Sequence, residues 1–505
     1  MPPTKDHNRM EGRTEMHNSQ DLQKVLEIRD AILGGNEKRL KEQRDAGKLT
    51  ARERVEKLAD AGSFVELFAL VSQNEEGAGV ITGYATIEER PVYIFAQDFT
   101  VHGGAMGKAQ AAKIVKLLDM AQKTGAPVLA LMDSAGVRID EGAAAMSAYS
   151  EIYQKLARMS GVCPIVAVVL GPCIGGAALV TQLADVAIVA EKVGQLMVFG
   201  PQVMAAMNGL AVKPEELGGA KVAAGMGACA LTAATEDEAL LKAKQVLALL
   251  PSSNLEDSEI IDTDDMSRLL PAIDPSDVDG LVAALADNAS AIELYAAYES
   301  AVRVFLARMG GRTVGLVAAS GKLSAGALQK AARFVRFMDC YNIPVVSLLN
   351  TCGVEVNGVK EQGWLFKAQS QLLYAYAEAT TAKLAVVTGD AIGQAYVAMG
   401  GKANADVTYA WPGAVISALT PEAAVAVLYV GDVKADKALS VEDARAKYAG
   451  KYVEEVAGAV NAAKAGMVDD IIDPAKTRAM LISAVEMLAS KRDSNPPKKH
   501  GNLPM

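Results

Sequence analysis

The strongest constraint on the fold is a repeat, because the chain carries the same pair of segments twice. Gly125-Ala126-Pro127 followed by "VLALMDSAGV" returns as Asn342-Ile343-Pro344 followed by "VVSLLNTCGV". Further on, "VVLGPCIGGAAL" returns as "VVTGDAIGQAYV". Both pairs keep the same order and nearly one offset, about 217 residues, as a duplicated domain requires. One echo arises easily by chance; two at one spacing make duplication the better reading. A chain of 505 residues also exceeds one ordinary core. We therefore expect two domains, at 1–265 and 266–505, with residues 1–20 as a polar tail. The acidic, proline-containing stretch Pro251–Asp279 reads as the linker.

Within each copy, apolar runs alternate in type. Strand-like Val92–Gln97, Val128–Met132, Ile165–Leu170 and Val186–Val189 are separated by helix-like Ala109–Thr124, Ala143–Met159 and Ala178–Ala184. The second copy repeats this with strands at Val314–Ala318, Val345–Leu349 and Ala385–Thr388, and helices at Gln329–Tyr341, Trp364–Thr380 and Gly393–Met399. Such alternation predicts an α/β fold. Ahead of it, Asp21–Gly47 has helical spacing, and Thr50 with Glu53 forms a capping box.

Composition excludes several classes. With 51% hydrophobic and 22% charged residues the balance is that of a globular protein, and a net charge of −10 argues against nucleic acid. Cys163, Cys173, Cys229, Cys340 and Cys352 form no CxxC pair, so neither a disulfide framework nor a structural metal site is expected. The first residues, to about Asp21, lack an apolar leader core, which points to the cytoplasm. The apolar stretch Cys163–Val180 is broken by Pro164, Gly171, Pro172, Gly175 and Gly176, so it reads as strand, turn and helix, not a membrane span.

The candidate chemistry lies in the glycine turns. Gly171 to Ala177 and Gly389 to Ala395 each follow a buried strand and precede a helix. Free N–H groups of a helix's first turn, aided by its dipole, stabilise an oxyanion. For one turn alone, tight helix–sheet packing is the better reading; duplication shifts the balance towards function. A second loop pair, Asp133-Ser134-Ala135-Gly136-Val137-Arg138 and Asn350-Thr351-Cys352-Gly353-Val354, follows the preceding strands, where open α/β sheets bind ligands. Arg138 meets either a phosphate or its neighbours Asp140 and Glu141. Of four histidines, His7, His17 and His500 lie near the ends, which leaves His102 as one base at most, and a structural hydrogen-bonding role is the better reading of it. Gly103 to Ala109 lacks the spacing and final hydroxyl of a phosphate loop. What remains is chemistry run by paired oxyanion holes, which suits enolate formation from a thioester.

These residues resemble a known family. "GKLTARERVEKLADAGSFVEL", "VYIFAQDFTVHGGAMGKAQAAKI", "GAPVLALMDSAGVRIDEG", "GPCIGGAAL", "FGPQV", "EELGGAK", "KAARFVRFMDCYNIPVV", "LLYAYAEAT", "VTYAWPGA" and "PPKKHGNLPM" are similar to the biotin-dependent acyl-CoA carboxyltransferases. That family includes the propionyl-CoA carboxylase beta subunit, the methylmalonyl-CoA decarboxylase alpha subunit and the transcarboxylase large subunit. The likeness runs from about Lys48 to Met505. It implies two crotonase-like domains and a homohexamer built as a trimer of dimers, with sites between domains of different chains. It further implies CO2 transfer between biotin and the α carbon of a short acyl-CoA. By that likeness the amides of Gly175 and Gly176 hold the thioester enolate, and those of Gln394 and Ala395 hold the biotin ureido oxygen. Ser134 to Arg138, Gly353, Gly393 and Val397 line the substrates, and biotin's own nitrogen serves as base, with no metal in this subunit. No Ala-Met-Lys-Met segment or ATP-binding domain appears, so the resemblance implies a separate biotin carboxyl carrier protein. It also implies a biotin carboxylase or a membrane decarboxylase subunit as partner, which would make the protein peripheral to a membrane in the second case.

Several positions depart from the family pattern. Gly-Gly-Ala is Gly393-Gln394-Ala395, so a glutamine side chain must find room; Pro-Gly-Phe is Cys352-Gly353-Val354; Arg-His-Gly is Lys367-Ala368-Gln369. In the first half, Ser-Gly-Gly-Ala-Arg is Ser134 to Arg138 and Ser-Gly-Val-Ala-His is Gly227 to Leu231. Val397, in the family linked to acyl-chain choice, suits a short apolar chain. The direction of reaction stays open. Two other classes remain: a non-catalytic scaffold, and a biotin-independent crotonase-type hydratase or isomerase with Glu141 as acid/base.

Overall fold

The computed structural model describes residues 21–72, 77–209, 211–261, 264–356, 358–359 and 362–504. The expected polar tail, with His7 and His17, lies outside the described residues. The chain divides into two compact units between Gln245 and Val246, upstream of the expected 265/266. The residues between join the second unit for a chemical reason. The Arg308 guanidinium donates to the carbonyls of Ala248 (2.8 Å) and Glu259 (2.6 Å), and the Ile261 amide donates to Gly311 (2.9 Å). A stretch that reads as polar linker thus supplies carbonyls to a buried cation.

The first unit is built on strands β1 (Val65–Leu67), β2 (Val80–Ile87), β3 (Arg90–Gln97), β4 (Val128–Ser134), β5 (Ile165–Ile174), β6 (Val186–Ala190), β7 (Gln195–Met197) and β8 (Leu231–Ala233). Their order is β1-β2-β3-β4-β5-β6-β8, with β7 beside β5. The second unit repeats it with β9 (Ile292–Leu294), β10 (Val302–Met309), β11 (Arg312–Leu323), β12 (Val345–Val354), β13 (Lys383–Ile392), β14 (Val407–Ala410), β15 (Val415–Ser417) and β16 (Asp470–Ile471). There the order is β16-β14-β13-β12-β11-β10-β9, with β15 beside β13. In both sheets the first three strands are antiparallel and the rest parallel. The fold is α/β and duplicated, as expected.

Every residue of β4 is buried, in keeping with its largely apolar sequence and its place as the middle strand of the sheet. The crossover helix Lys108–Thr124 and its counterpart Ala325–Cys340 put Ile114, Leu117 and Leu118, and Phe334, Val335 and Met338, onto their sheets. Removing such side chains from water is the main driving term for each core. At the start, the expected single helical span is two helices, 21–34 and Glu37–Asp45, the second capped by Asn36. The Thr50–Glu53 capping box is present in full. No helix among the described residues is long and apolar enough to cross a membrane.

Strands near the site run longer than the sequence predicts. Expected to stop at Leu170, β5 continues to Ile174; β13, expected at Ala385–Thr388, runs to Ile392. Each changes partner on the way. After Val169, β5 leaves β6 and pairs with β7 over Pro172–Ile174, while β13 leaves β14 after Val387 and pairs with β15 over Asp390–Ile392. Most of each supposed glycine turn is therefore strand, and the turn shrinks to one residue.

Candidate functional site

Those single residues are Gly175 (φ 62°, ψ −118°) and Gly393 (φ 68°, ψ −144°). Positive φ is cheap only for glycine. Gly175 leads into the helix Gly176–Leu183 and Gly393 into Gln394–Met399. The amide of Gly175 donates to the Met197 carbonyl of β7, and that of Gly393 to Ser417 of β15, both at 2.9 Å. The expected role of the Gly175 amide is therefore corrected: its hydrogen is committed to the sheet. The first helical backbone bonds come later, from Leu179 to Gly175 and from Val397 to Gly393, both 3.3 Å. Donors without a backbone acceptor thus begin at Gly176 in one turn and Gln394 in the other, with Ala177 and Ala395 next. Tyr149 braces the first turn from below. Its hydroxyl donates to the Gly136 carbonyl (3.0 Å) and lies against the Ala177 amide, and burial pushes its phenol far up, so it stays neutral.

The loops after β4 and β12 are also copies. The Ser134 hydroxyl accepts from the Gly136 amide (3.1 Å), and the Thr351 hydroxyl accepts from Gly353 (3.2 Å). In the first unit, Ala135 donates to Gly103 (2.9 Å), Met106 to Gly136 (2.8 Å) and Arg138 to Met106 (2.8 Å), while Val137 bridges to Met106. Gly103 and Met106 thus stitch the loop in place. Arg138 grips Asp140 through two nitrogens, and this hydrogen bonding draws the Asp140 carboxyl down to about 2. The ion-pair alternative for Arg138 is the one present. Glu141 accepts from the Lys108 amide (2.8 Å) and caps the helix Lys108–Thr124, whose own N-cap, Gly107, has no side chain to do so. A capping carboxylate is poorly placed to serve as a general acid.

Sequence reasoning missed a buried charge network beneath the first site. Asp133, at the end of β4, accepts from Lys48 (2.7 Å) and Arg54 (2.8 Å). Arg54, with no exposed surface, also pairs with Glu236 (2.8 Å) and donates to the Leu170 carbonyl (2.7 Å). A carboxylate inside an otherwise aliphatic strand was the available signal. Its counterpart Asn350 is neutral and accepts from the Asp390 amide (3.1 Å).

Each unit has a hollow, and that of the second unit is lined by its turn. In the first, about 400 Å³ lies among Arg39, Lys48, Phe99, Thr100, His102 and Gly103. Ser134 to Arg138 do not line it, although Ala135 bonds to Gly103 at its wall. In the second, a cavity of about 610 Å³ gathers Gly353, Gly393, Gln394 and Val397, while Ala395 is buried beneath. Cys352 and Gln369 also face it. The Cys352 thiol donates to Asp390 (3.6 Å), and burial and that carboxylate push it up, so it stays protonated and a poor nucleophile.

Duplicated units with backbone donors at the strand-to-helix turn define a crotonase-like architecture. Residues 42–503 match the carboxyl transferase domain model, and the chain belongs to that family. It is 39% identical over 499 residues to the methylmalonyl-CoA decarboxylase subunit alpha of Veillonella parvula, covering 94% of this chain and 96% of that one. It is 36% identical over 513 residues to the propionyl-CoA carboxylase beta chain of Saccharopolyspora erythraea, covering 94% of each. Among solved structures it resembles transcarboxylase 12S, a hexamer assembly crystallised with hydrolysed methylmalonyl-coenzyme A (TM-score 0.90, 37% identity, 96% of this chain and 98% of that one).

Proposed function

We propose that this protein is the carboxyltransferase subunit of a biotin-dependent acyl-CoA carboxylase or decarboxylase. The observation that carries the reading is the pair of equivalent turns. In each, glycine's amide is tied to the sheet and the amide that follows, of Gly176 or Gln394, is left as a donor. At the first turn, the Gly176 amide meets the thioester oxygen. When CO2 leaves a malonyl-type thioester, the bonding pair stays on the α carbon and spreads to that oxygen, so a preplaced donor lowers the barrier. No protein base is needed for that step, in keeping with Glu141 serving as a cap and Cys352 staying protonated.

At the second turn the amides of Gln394 and Ala395 hold the ureido oxygen of biotin. The cavity suits that bicyclic ring: its walls include Ile392, Val397, Ile416 and Leu419, and donors stand at one end. Bound biotin supplies the group that takes up or gives back CO2. The substrate we infer is a short acyl-CoA of the propionyl/methylmalonyl or acetyl/malonyl type, the thioester class that the names of its relatives carry. Biotin arrives on a separate carrier protein, and a biotin carboxylase or a membrane decarboxylase subunit sets the direction. The subunit assembles as a homohexamer and works in the cytoplasm.

The test uses purified protein, free biotin and a panel of malonyl-, methylmalonyl- and glutaconyl-CoA. Biotin-dependent decarboxylation of at least one thioester is expected. Turnover that ignores biotin, or none across the panel with CoA binding intact, would overturn the reading.

A further inference from the structure

The first turn leans on one phenol. Gly175 and Gly176 stand side by side, and two glycines in a row leave the peptide plane between them free to rotate. Upstream, the Gly175 amide is held by the Met197 carbonyl (2.9 Å). Downstream, the Gly176 carbonyl accepts from the Tyr153 hydroxyl (3.0 Å). Tyr149 closes the side of the turn. A Cβ on Gly176 would lie 2.5 Å from Cζ of that ring and 2.7 Å from Cε1 and Cε2. Residue 176 is thereby held to glycine, and the turn rests on the hydroxyl end of the ring.

The ring is itself anchored by the loop after β4. Its buried hydroxyl donates to the Gly136 carbonyl (3.0 Å), which also takes the Met106 amide (2.8 Å). Tyr153, four residues on and so on the same helix face, stacks on Tyr149 with ring centres 5.5 Å apart and planes at 21°. The helix Ala143–Met159 thus brackets the loop after β4 and the turn after β5. The second unit is built otherwise. Matching the buried Ala148, Ile152 and Leu156 to Ala368, Leu372 and Tyr376 puts Gln369 at the place of Tyr149 and Leu373 at that of Tyr153. Neither is a phenol, and the turn there has one glycine, followed by Gln394, whose Cβ restricts the backbone. The phenol stands where the turn is loose and is missing where a side chain stiffens it.

We propose that Tyr149 is a positioning residue for the thioester step: anchored on Gly136, its ring fixes where the Gly176 amide points and how far it stands from the loop after β4. This rests on the reading of the first turn as the thioester side. Tyr149→Phe keeps the ring and removes the anchor, while Gly136 retains the Met106 amide, so the fold survives. The assay uses the full-length protein, free biotin and the thioester of the panel that turns over fastest. We expect kcat to fall about tenfold, as for a donor slightly misplaced, with KM within about twofold of the unaltered protein, the pattern of an interaction lost only in the transition state. Hydrogen exchange read by mass spectrometry should speed up in the peptide covering Gly175 to Ala177. Unchanged kcat, unchanged exchange there, or a rise in KM that accounts for the loss overturns the positioning role and leaves the proposed function standing. No turnover by the unaltered protein across the panel overturns that function and the positioning role with it.

Discussion

Gly176 is the residue on which the first turn's chemistry and packing meet. Its amide is the donor that the proposed function gives to an oxyanion, and its missing side chain admits Tyr149. We expect Gly176→Gln to lose about 1–3 kcal/mol of stability from overpacking and to lower turnover about 10²- to 10³-fold as the donor shifts. The double variant Gly176→Gln/Tyr149→Ala opens the space that the ring fills, so its thermal midpoint should recover most of the loss. A midpoint no higher than the single variant's would refute the overpacking. At this scale the sequence disclosed the glycine turns but not which amide is free. The deciding acceptors, Met197 and Ser417, sit on three-residue strands far along the chain that periodicity does not announce.

Elements carry a second duplication that no motif marks. Lys113 and Lys330 occupy matching places on the crossover helices, both buried, with the ammonium of Lys113 donating to the Val80 carbonyl (2.6 Å) and that of Lys330 to Tyr295 (2.8 Å) and Tyr298 (2.7 Å). Burial lowers both from 10.5 to about 8. Folded, these lysines hold their protons less tightly than unfolded, so the unfolded chain binds more protons between pH 8 and 10.5. Their contribution to stability should therefore rise with pH through that window. Thermal midpoints of Lys113→Met/Lys330→Met, compared with the unaltered protein from pH 7 to 10.5, should show the largest relative gain at the low end; parallel curves would contradict the assignment. The Arg54 network behaves oppositely, as an ion set whose members depend on each other. Arg54→Met leaves Asp133 buried beside Lys48 alone and should cost about 3–5 kcal/mol in chemical denaturation. Helix and strand types were legible from spacing because most segments alternate cleanly. Strand ends were not, because β5 and β13 continue by changing partners, which is a tertiary fact.

At the scale of the whole molecule, duplication was the most readable property and assembly the least. The second unit leaves large apolar side chains in the open: Val359 is 84% exposed, Val427 68%, Phe366 66% and Trp364 65%. In the proposed hexamer these side chains are the ones we assign to contact with another chain. Nothing in the local pattern betrays it, since Trp364 and Phe366 sit on a helix that also buries Leu365, Ala368 and Leu372. The proposed hexamer covers such surfaces, so light scattering should return six times the 52.8 kDa of one chain. Trp364→Glu combined with Val427→Glu places charges where apolar contact is needed, and burying them unpaired is costly. Smaller particles are expected, with each unit's own unfolding little changed because neither side chain is part of a core. If the double variant keeps both the hexamer mass and full turnover, these two faces lie outside the assembly contacts and the apolar residues there need another partner.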